Sequence, residues 1–158
     1  MDAVIAIIET PKGSAHKYTY ERDKHLFKLT KVLPAGMVFP FDFGFIPDTK
    51  GEDGDPLDII VISEFQTFTG CMMDCRIIGG IKAQQTERDG RTLRNDRFIG
   101  IPEVSQLFAD INSTEDFPKK IMDQLEAFFK NYNEQSGKQF KSLGRMTPEE
   151  GYTLIQKG

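Results

Sequence analysis

GEDGDPLDIIVIS, residues 51–63, changes character halfway along. Glu52, Asp53, Asp55 and Asp58 fall within seven positions, and an unbroken apolar run from Ile59 to Ile62 follows. A short continuous run of β-branched residues reads as a central strand buried on both faces. The acids therefore sit on backbone anchored at one end, with Gly51 and Gly54 permitting tight turns and Pro56 fixing one φ. Carboxylates this close repel one another, and burying them unpartnered is costly. On these residues alone two readings are open: a solvated acidic turn, or oxygen ligands gathered round a hard cation such as Mg2+. A calcium EF-hand is excluded, because the sixth position from Asp53, where that loop needs glycine, is Asp58, and no helix follows. Zinc lacks support, since His16 and His25 have neither cysteine nor ligand-spaced histidine beside them.

Working outward, the first two-thirds of the chain alternates short β-like runs with turn chemistry. VIAIIE (4–9) is apolar and β-branched, while HKYTY (16–20) and LFKLTKV (26–32) alternate. CMMDCRIIGGIKAQQ (71–85) and RNDRFIGI (94–101) read as a long hairpin with Arg88-Asp89-Gly90 at its tip. With the central run these make six short strands, a pattern that suits a small barrel better than a doubly wound sheet. The last third is helical. From Pro118, Ile121, Leu125, Phe128, Phe129 and Tyr132 recur at helical spacing, and Gly137 lies just past the end. Thr147-Pro148-Glu149-Glu150 is a capping box that opens a second helix through Tyr152, Leu154 and Ile155. No repeat, linker or low-complexity tract interrupts residues 1–158, so the expectation is a single domain, mainly β with two C-terminal helices.

Composition narrows the function classes. With 39% apolar and 28% charged residues, the chain reads as a soluble globular protein. A net charge of −4 argues against a nucleic-acid partner, and no apolar run approaches transmembrane length, so no membrane partner is expected either. MDAVIAIIET carries an acid at Asp2 and no basic leader, which reads as a first strand rather than a secretory signal; the expected location is cytoplasmic. Cys71 and Cys75 are spaced for one face of a strand, not as a C-x-x-C redox pair, and read as packing or surface thiols. Lys17, Lys31, Arg94 and Arg97 recur at strand positions. Each alone is ordinary surface charge. Set against an acidic metal cage, they are what a doubly charged phosphate substrate requires.

DGDPLDI (53–59) resembles, without a gap, the D-G-D-P-x-D signature of the soluble family I inorganic pyrophosphatases. The likeness runs along nearly the whole chain. VIAIIETPKGSAHKY resembles the family's opening strand, VLPAGMVFPFDFGFIPDT its segment before the signature, and AFFKNYNEQSGK its late helix. The resemblance implies a distorted five-stranded closed barrel of OB type with helices packed outside. It implies hydrolysis of inorganic diphosphate to two phosphates by a metal-activated water, with several Mg2+ ions and Mn2+ as an admissible substitute. Asp53, Asp55, Asp58 and Glu9 are then metal ligands, with Asp55 also the catalytic group near the attacking water. Lys17 matches a phosphate-binding lysine and Tyr132 a phosphate-binding tyrosine, although Tyr132 also lies on the apolar helix stripe. The resemblance also implies a homo-oligomer, hexamers being usual among bacterial members.

This chain departs from the family pattern inside the site. Thr19 stands where a glutamate is expected, and Thr30-Lys31 where an aspartate–arginine pair is expected, so a bidentate fork becomes a point charge. Phe43 replaces a tyrosine, and Asn133 a lysine that Lys138 is positioned to replace. In the hairpin, Asn95 and Arg97 stand for an aspartate and a lysine. Asn95 can coordinate through its carbonyl without adding charge, while Asp96 in a regular strand points to the opposite face unless a bulge reorients it. The hairpin is also longer than the family's, leaving Glu87 or Asp89 to supply an acid near its tip, and Ala127 and Asn131 replace histidines of the oligomer interface. The expected metal set is therefore Asp53, Asp55, Asp58, Glu9, Asn95 and Asp96, and the expected substrate set is Lys17, Lys31, Arg97, Tyr132 and Lys138. Two alternatives remain beside a diphosphatase: a hydrolase of another small phosphoanhydride, held by Arg88, Arg91, Arg94 and Arg97, or a non-catalytic relative that binds metal or phosphate.

Overall fold

A computed structural model describes residues 2–158. Its strands are β1 (Val4–Thr10), β2 (His16–Glu21), β3 (Leu26–Val32), β4 (Asp42–Ile46), β5 (Leu57–Val61), β6 (Met72–Thr86), β7 (Thr92–Arg94), β8 (Arg97–Pro102) and β9 (Gln139–Met146). A single 3-10 turn (Thr114–Asp116) precedes helices α1 (Lys119–Gln135) and α2 (Pro148–Lys157).

Five strands close a ring. β1 pairs with β4, β4 with β5, β5 with β8 and β8 with β6, and the first half of β6 returns to β1. All of these pairings are antiparallel except β5–β8. The second half of β6 runs out of the ring and carries β7 and β9 on its two edges, while β2 and β3 form a separate hairpin. The expected five-stranded closed barrel with two packed helices is therefore the observed architecture.

The central run behaves as its composition predicts. Ile60 and Ile62 pack into one core beneath α1, and Ile59 and Val61 into a second that α2 covers. The strand begins at Leu57, so Asp58 already belongs to it. The capping box holds too: Thr147 Oγ1 accepts from the Glu150 amide at 3.2 Å. On α1 the buried positions are Met122, Leu125, Phe129 and Asn133; Leu125 and Phe129 belong to the expected stripe, whose other members Ile121, Phe128 and Tyr132 are half-buried. Cys75 is buried in the second core, and burial pushes its thiol up to about 12; neither cysteine is in a disulfide.

Three elements differ from expectation. DFGFI (42–46) forms a fully buried strand, β4. Gly44 makes that possible, because a Cβ there would lie 1.9 Å from the Ile7 carbonyl oxygen. The segment 94–101 is not one strand but two, broken at Asn95-Asp96. β9 arises where the outer half of β6 needs a partner, and Arg145 ties it to Asp123 and Glu126 of α1 at 2.8 and 3.0 Å. Among the described residues no helix is long and apolar enough to cross a membrane.

Candidate active site

A cleft of about 560 Å³ opens between the 51–58 loop, the β2–β3 hairpin, the β6–β8 connection and the second half of α1. One wall is acidic. Glu9 reaches it from the end of β1, Asp53 and Asp55 from the loop, and Asp58 from the start of β5. The loop is braced internally: the Gly51 amide donates to the Asp55 carbonyl at 2.8 Å, and the Asp55 amide donates to Asp53 Oδ1 at 3.0 Å. Gly54 turns the chain at φ +87°, a conformation that favours glycine.

Glu9 is buried, and its Oε2 accepts from the Tyr20 amide at 2.8 Å, which locks β2 against β1. Burial lifts the Glu9 carboxyl to about 7, against the Tyr20 hydrogen bond and with repulsion from Asp58 adding to it. Burial likewise lifts Asp58 to about 6, opposed by Arg97 and Lys17 and assisted by Asp53 and Asp55. Asp53 is raised by the same cause. These carboxylates are raised chiefly by burial, with their mutual repulsion adding to it, and a bound cation would relieve both.

The facing wall is basic. Lys17 and Lys31 are cross-strand partners in the β2–β3 hairpin, and their ammonium groups lie 5.5 and 5.1 Å from the centre of the Tyr132 ring. Lys31 Nζ also donates to Ser136 Oγ at 2.8 Å. Burial lowers the Lys31 ammonium to about 8, with Lys17, Lys138 and Arg88 pushing the same way. The Tyr132 hydroxyl is buried without a partner among the described residues, on a residue that lines the cleft. Lys138 is held by Glu87 at 3.0 Å.

Arg97 closes one end. It opens β8 directly beside Asp58 in the parallel pair, and its Nη1 stands 3.7 Å from Asp58 Oδ2. Asn95 also lines the cleft, but its amide donates to Gln85 Oε1 at 3.2 Å. Asp96, expected among the metal ligands, is not brought to them. Its Oδ1 accepts from the Ala83 amide at 3.0 Å and from Arg94 Nε at 2.6 Å, on the far side of the strand. The ladder is interrupted there: the Asn95 amide still bonds the Ala83 carbonyl, but the Ala83 amide bonds Asp96 Oδ1 in place of a main-chain oxygen, which holds the buried carboxylate against β6 and away from the cleft.

A family model described as inorganic pyrophosphatase matches residues 6–158. The chain belongs to the inorganic pyrophosphatase family. It is 38% identical over 133 residues to an inorganic pyrophosphatase of Halalkalibacterium halodurans, covering 84% of this chain and 78% of that one. It is 34% identical over 154 residues to the Geobacillus stearothermophilus protein of the same name, covering 98% and 90%. Among solved structures, the inorganic pyrophosphatase of Thermus thermophilus superposes with a TM-score of 0.88 at 30% identity, covering 98% of this chain and 88% of that one.

The positions that depart from the family pattern have local explanations. Thr19 and Thr30 hydrogen-bond each other across the β2–β3 pair at 3.1 Å. Phe43 packs its ring on Phe39 and Phe129, and Asn133 is buried with its amide on the Phe129 carbonyl at 2.7 Å. The hairpin arginines are mostly engaged. Arg91 pairs with Asp89 at 2.7 Å and Arg94 with Asp96, while Arg88 donates to the Ser136 carbonyl at the end of α1 at 2.8 Å. Of the two acids near the tip, Glu87 lines the cleft and Asp89 does not. Sequence reasoning missed Gln85 and Ser136. Gln85 belongs to the site only through the pairing of β6 with β7, and Ser136 only through its bond to Lys31, neither of which has a local signal.

Proposed function

We propose that this cleft hydrolyses inorganic diphosphate to two phosphates with the help of Mg2+, Mn2+ being an admissible substitute. The observation that carries the reading is the opposition of two walls, Glu9, Asp53, Asp55 and Asp58 facing Lys17, Lys31 and the unpartnered Tyr132 hydroxyl across one cavity. Among the described residues no three His, Cys, Asp or Glu side chains converge tightly enough to cage an ion alone. That donor set fits Mg2+, which keeps several waters and is held by one or two carboxylates together with substrate phosphate oxygens. When bound, the ions would neutralise phosphoryl oxygens and acidify water.

The chain's own residues supply the rest. Glu9, Asp53, Asp55 and Asp58 are the ligands, with the Asn95 side-chain carbonyl as a neutral further donor, since its bond to Gln85 uses only the amide nitrogen; Asp96 is left out because its carboxylate is committed within the protein. Asp55 is exposed at the loop tip and free to orient the attacking water and accept its proton. Lys17, Lys31 and Tyr132 donate to the phosphate that leaves, whose charge grows as the bridging P–O bond breaks. The water oxygen bonds one phosphorus, the bridging oxygen departs with the other, and no covalent enzyme intermediate is required.

The test is phosphate release from diphosphate by the wild type and Asp55→Asn. The variant should lose roughly a hundredfold or more in kcat with little change in KM. A change confined to KM would assign Asp55 to binding, and no turnover by either protein would remove the reading. We also read the protein as cytoplasmic and self-associating, with a hexamer as the form to test by sedimentation. Large exposed apolar side chains such as Phe65, Phe68, Val104 and Leu107 support self-association.

A further inference from the structure

Lys31 sits among like charges. Its partner in the β2–β3 register is Lys17, and both ammonium groups lie over the Tyr132 ring, at 5.1 Å for Lys31 and 5.5 Å for Lys17. Arg88 of the β6–β7 hairpin and Lys138 beyond α1 repel it as well. Glu87, which lines the same cleft, is paired with Lys138 at 3.0 Å. The hydrogen bond that holds Lys31 goes to a neutral group, Nζ donating to Ser136 Oγ at 2.8 Å. Ser136 is itself fixed at the end of α1: its amide donates to the Asn133 carbonyl at 3.0 Å, and its carbonyl accepts from Arg88 Nε at 2.8 Å.

A half-buried amine crowded by cations is pushed towards its neutral, nucleophilic form. Burial and the three neighbouring charges bring Lys31 down to about 8, whereas Lys24, Lys28, Lys119 and Lys120 stand exposed on the outer surface. The same neighbours attract phosphate, so the cleft gathers anions round an amine that can react. Diphosphate offers that amine no carbon to attack. A mixed anhydride of phosphate and a carboxylic acid does, and it presents a similar phosphate group. An arginine at this position would stay charged and would not be acylated under the same conditions.

We propose that Lys31 is an acylation site, at which a small acyl phosphate, held through its phosphate by Lys17 and Tyr132, transfers its acyl group to Nζ. The proposal rests on reading this wall of the cleft as a phosphate clamp. The Nζ lone pair forms the N–C bond, the C–O bond to phosphate breaks, and its electron pair leaves on the phosphate oxygen. Of the two protons that the ammonium gives up, one goes to the departing phosphate and one to water; nothing is oxidised or reduced. The resulting amide carries no charge and removes one arm of the clamp, so acylation weakens the hold on diphosphate.

The test is incubation of the full chain, with Mg2+ present, in acetyl phosphate at about pH 8, followed by peptide mass spectrometry of the acetyl fraction at every lysine. Lys31 should label at least about tenfold faster than Lys24, Lys28, Lys119 and Lys120. About half of its amines are neutral there, against roughly 0.3% of an ordinary lysine's, and the weaker base gives back part of that advantage as a weaker nucleophile. Inorganic phosphate should slow labelling at Lys31 several-fold and leave the exposed lysines unaffected. Acetic anhydride, which has no phosphate to be held, should show a smaller preference for Lys31. Labelling of Lys31 no faster than of the exposed lysines, labelling that falls on Lys17 instead, or labelling indifferent to phosphate overturns the proposal. Diphosphate turnover should fall in step with the acetyl fraction at Lys31, and that of Lys31→Arg should resist the same treatment; equal losses in both proteins would contradict the proposal. Turnover by the untreated wild type is scored separately. Its absence would remove the diphosphatase reading, while the map of labelled lysines, which needs no turnover, still decides the role of Lys31.

Discussion

Removing Lys31 should make the free protein more tolerant of neutral pH relative to high pH while impairing substrate binding. Its ammonium is lowered from an ordinary 10.5 to about 8 by burial and by the charges of Lys17, Lys138 and Arg88. A lysine with a depressed pKa destabilises the folded chain fully below the folded value, and that penalty fades as pH rises towards the unfolded value. At about 1.36 kcal/mol per pKa unit the displacement is worth roughly 3 kcal/mol, which solvent screening of a half-buried side chain reduces to about 1–2 kcal/mol. Lys31→Met removes this penalty, and it also loses the bond to Ser136, roughly 1 kcal/mol at either pH. Urea unfolding of both proteins at pH 7 and about pH 10.5 isolates the ionic part. The stability of the wild type relative to the variant should rise by about 1–2 kcal/mol between the two conditions. At pH 7 the variant's KM for diphosphate should be at least about tenfold higher, from the lost charge-assisted contact. A stability difference independent of pH, or one moving the other way, would refute the account of a desolvated cation waiting for an anion.

Tyr132→Phe deletes a buried hydroxyl that has no partner among the described residues, so unfolding stability should hold or rise by up to about 1 kcal/mol while KM for diphosphate rises several-fold. Asp96→Asn should destabilise the fold by roughly 1–2 kcal/mol in thermal or urea unfolding, because it weakens the charge-assisted bonds of a buried carboxylate to the Ala83 amide and to the partly exposed Arg94. Mn2+ affinity should be unchanged in that variant, and a loss of metal binding there would restore Asp96 to the ligand set. Calorimetric Mg2+ affinity should fall as pH drops through 7 and 6, because Glu9 and Asp58, raised to about 7 and about 6, take up protons that the ion must displace. By the same linkage these two raised carboxyls favour the metal-free fold at low pH, and their contribution disappears as pH climbs through 6 and 7.

The sequence carried the acidic wall because that wall is local. Asp53, Asp55 and Asp58 lie within one loop-to-strand junction whose glycines, proline and following apolar run are all visible as text. The capping box at Thr147 was legible for the same reason. β4 was not, since DFGFI lies between Pro40 and Pro47 with a glycine at its centre, all signals of a turn. It is a strand because Gly44 lets the β1 backbone approach, a fact about Ile7 rather than about residues 42–46. β9 buries few of its side chains, chiefly Phe140 and Met146, and owes its existence to the exposed edge of β6. The basic wall was half legible: Lys17, Lys31 and Tyr132 could be named, but their meeting over one ring joins a hairpin to a helix a hundred residues away. Nothing in the text of residues 94–101 sets Arg97 beside Asp58; that neighbourhood comes from the β5–β8 register.

The most direct test is steady-state phosphate release from diphosphate by the wild-type chain, measured with Mg2+ and again after chelation. The account predicts turnover that requires the ion and returns when Mg2+ is restored. A folded protein that binds Mg2+ yet releases no phosphate, or that releases it equally well without metal, would contradict the assignment of the two walls to one diphosphatase site.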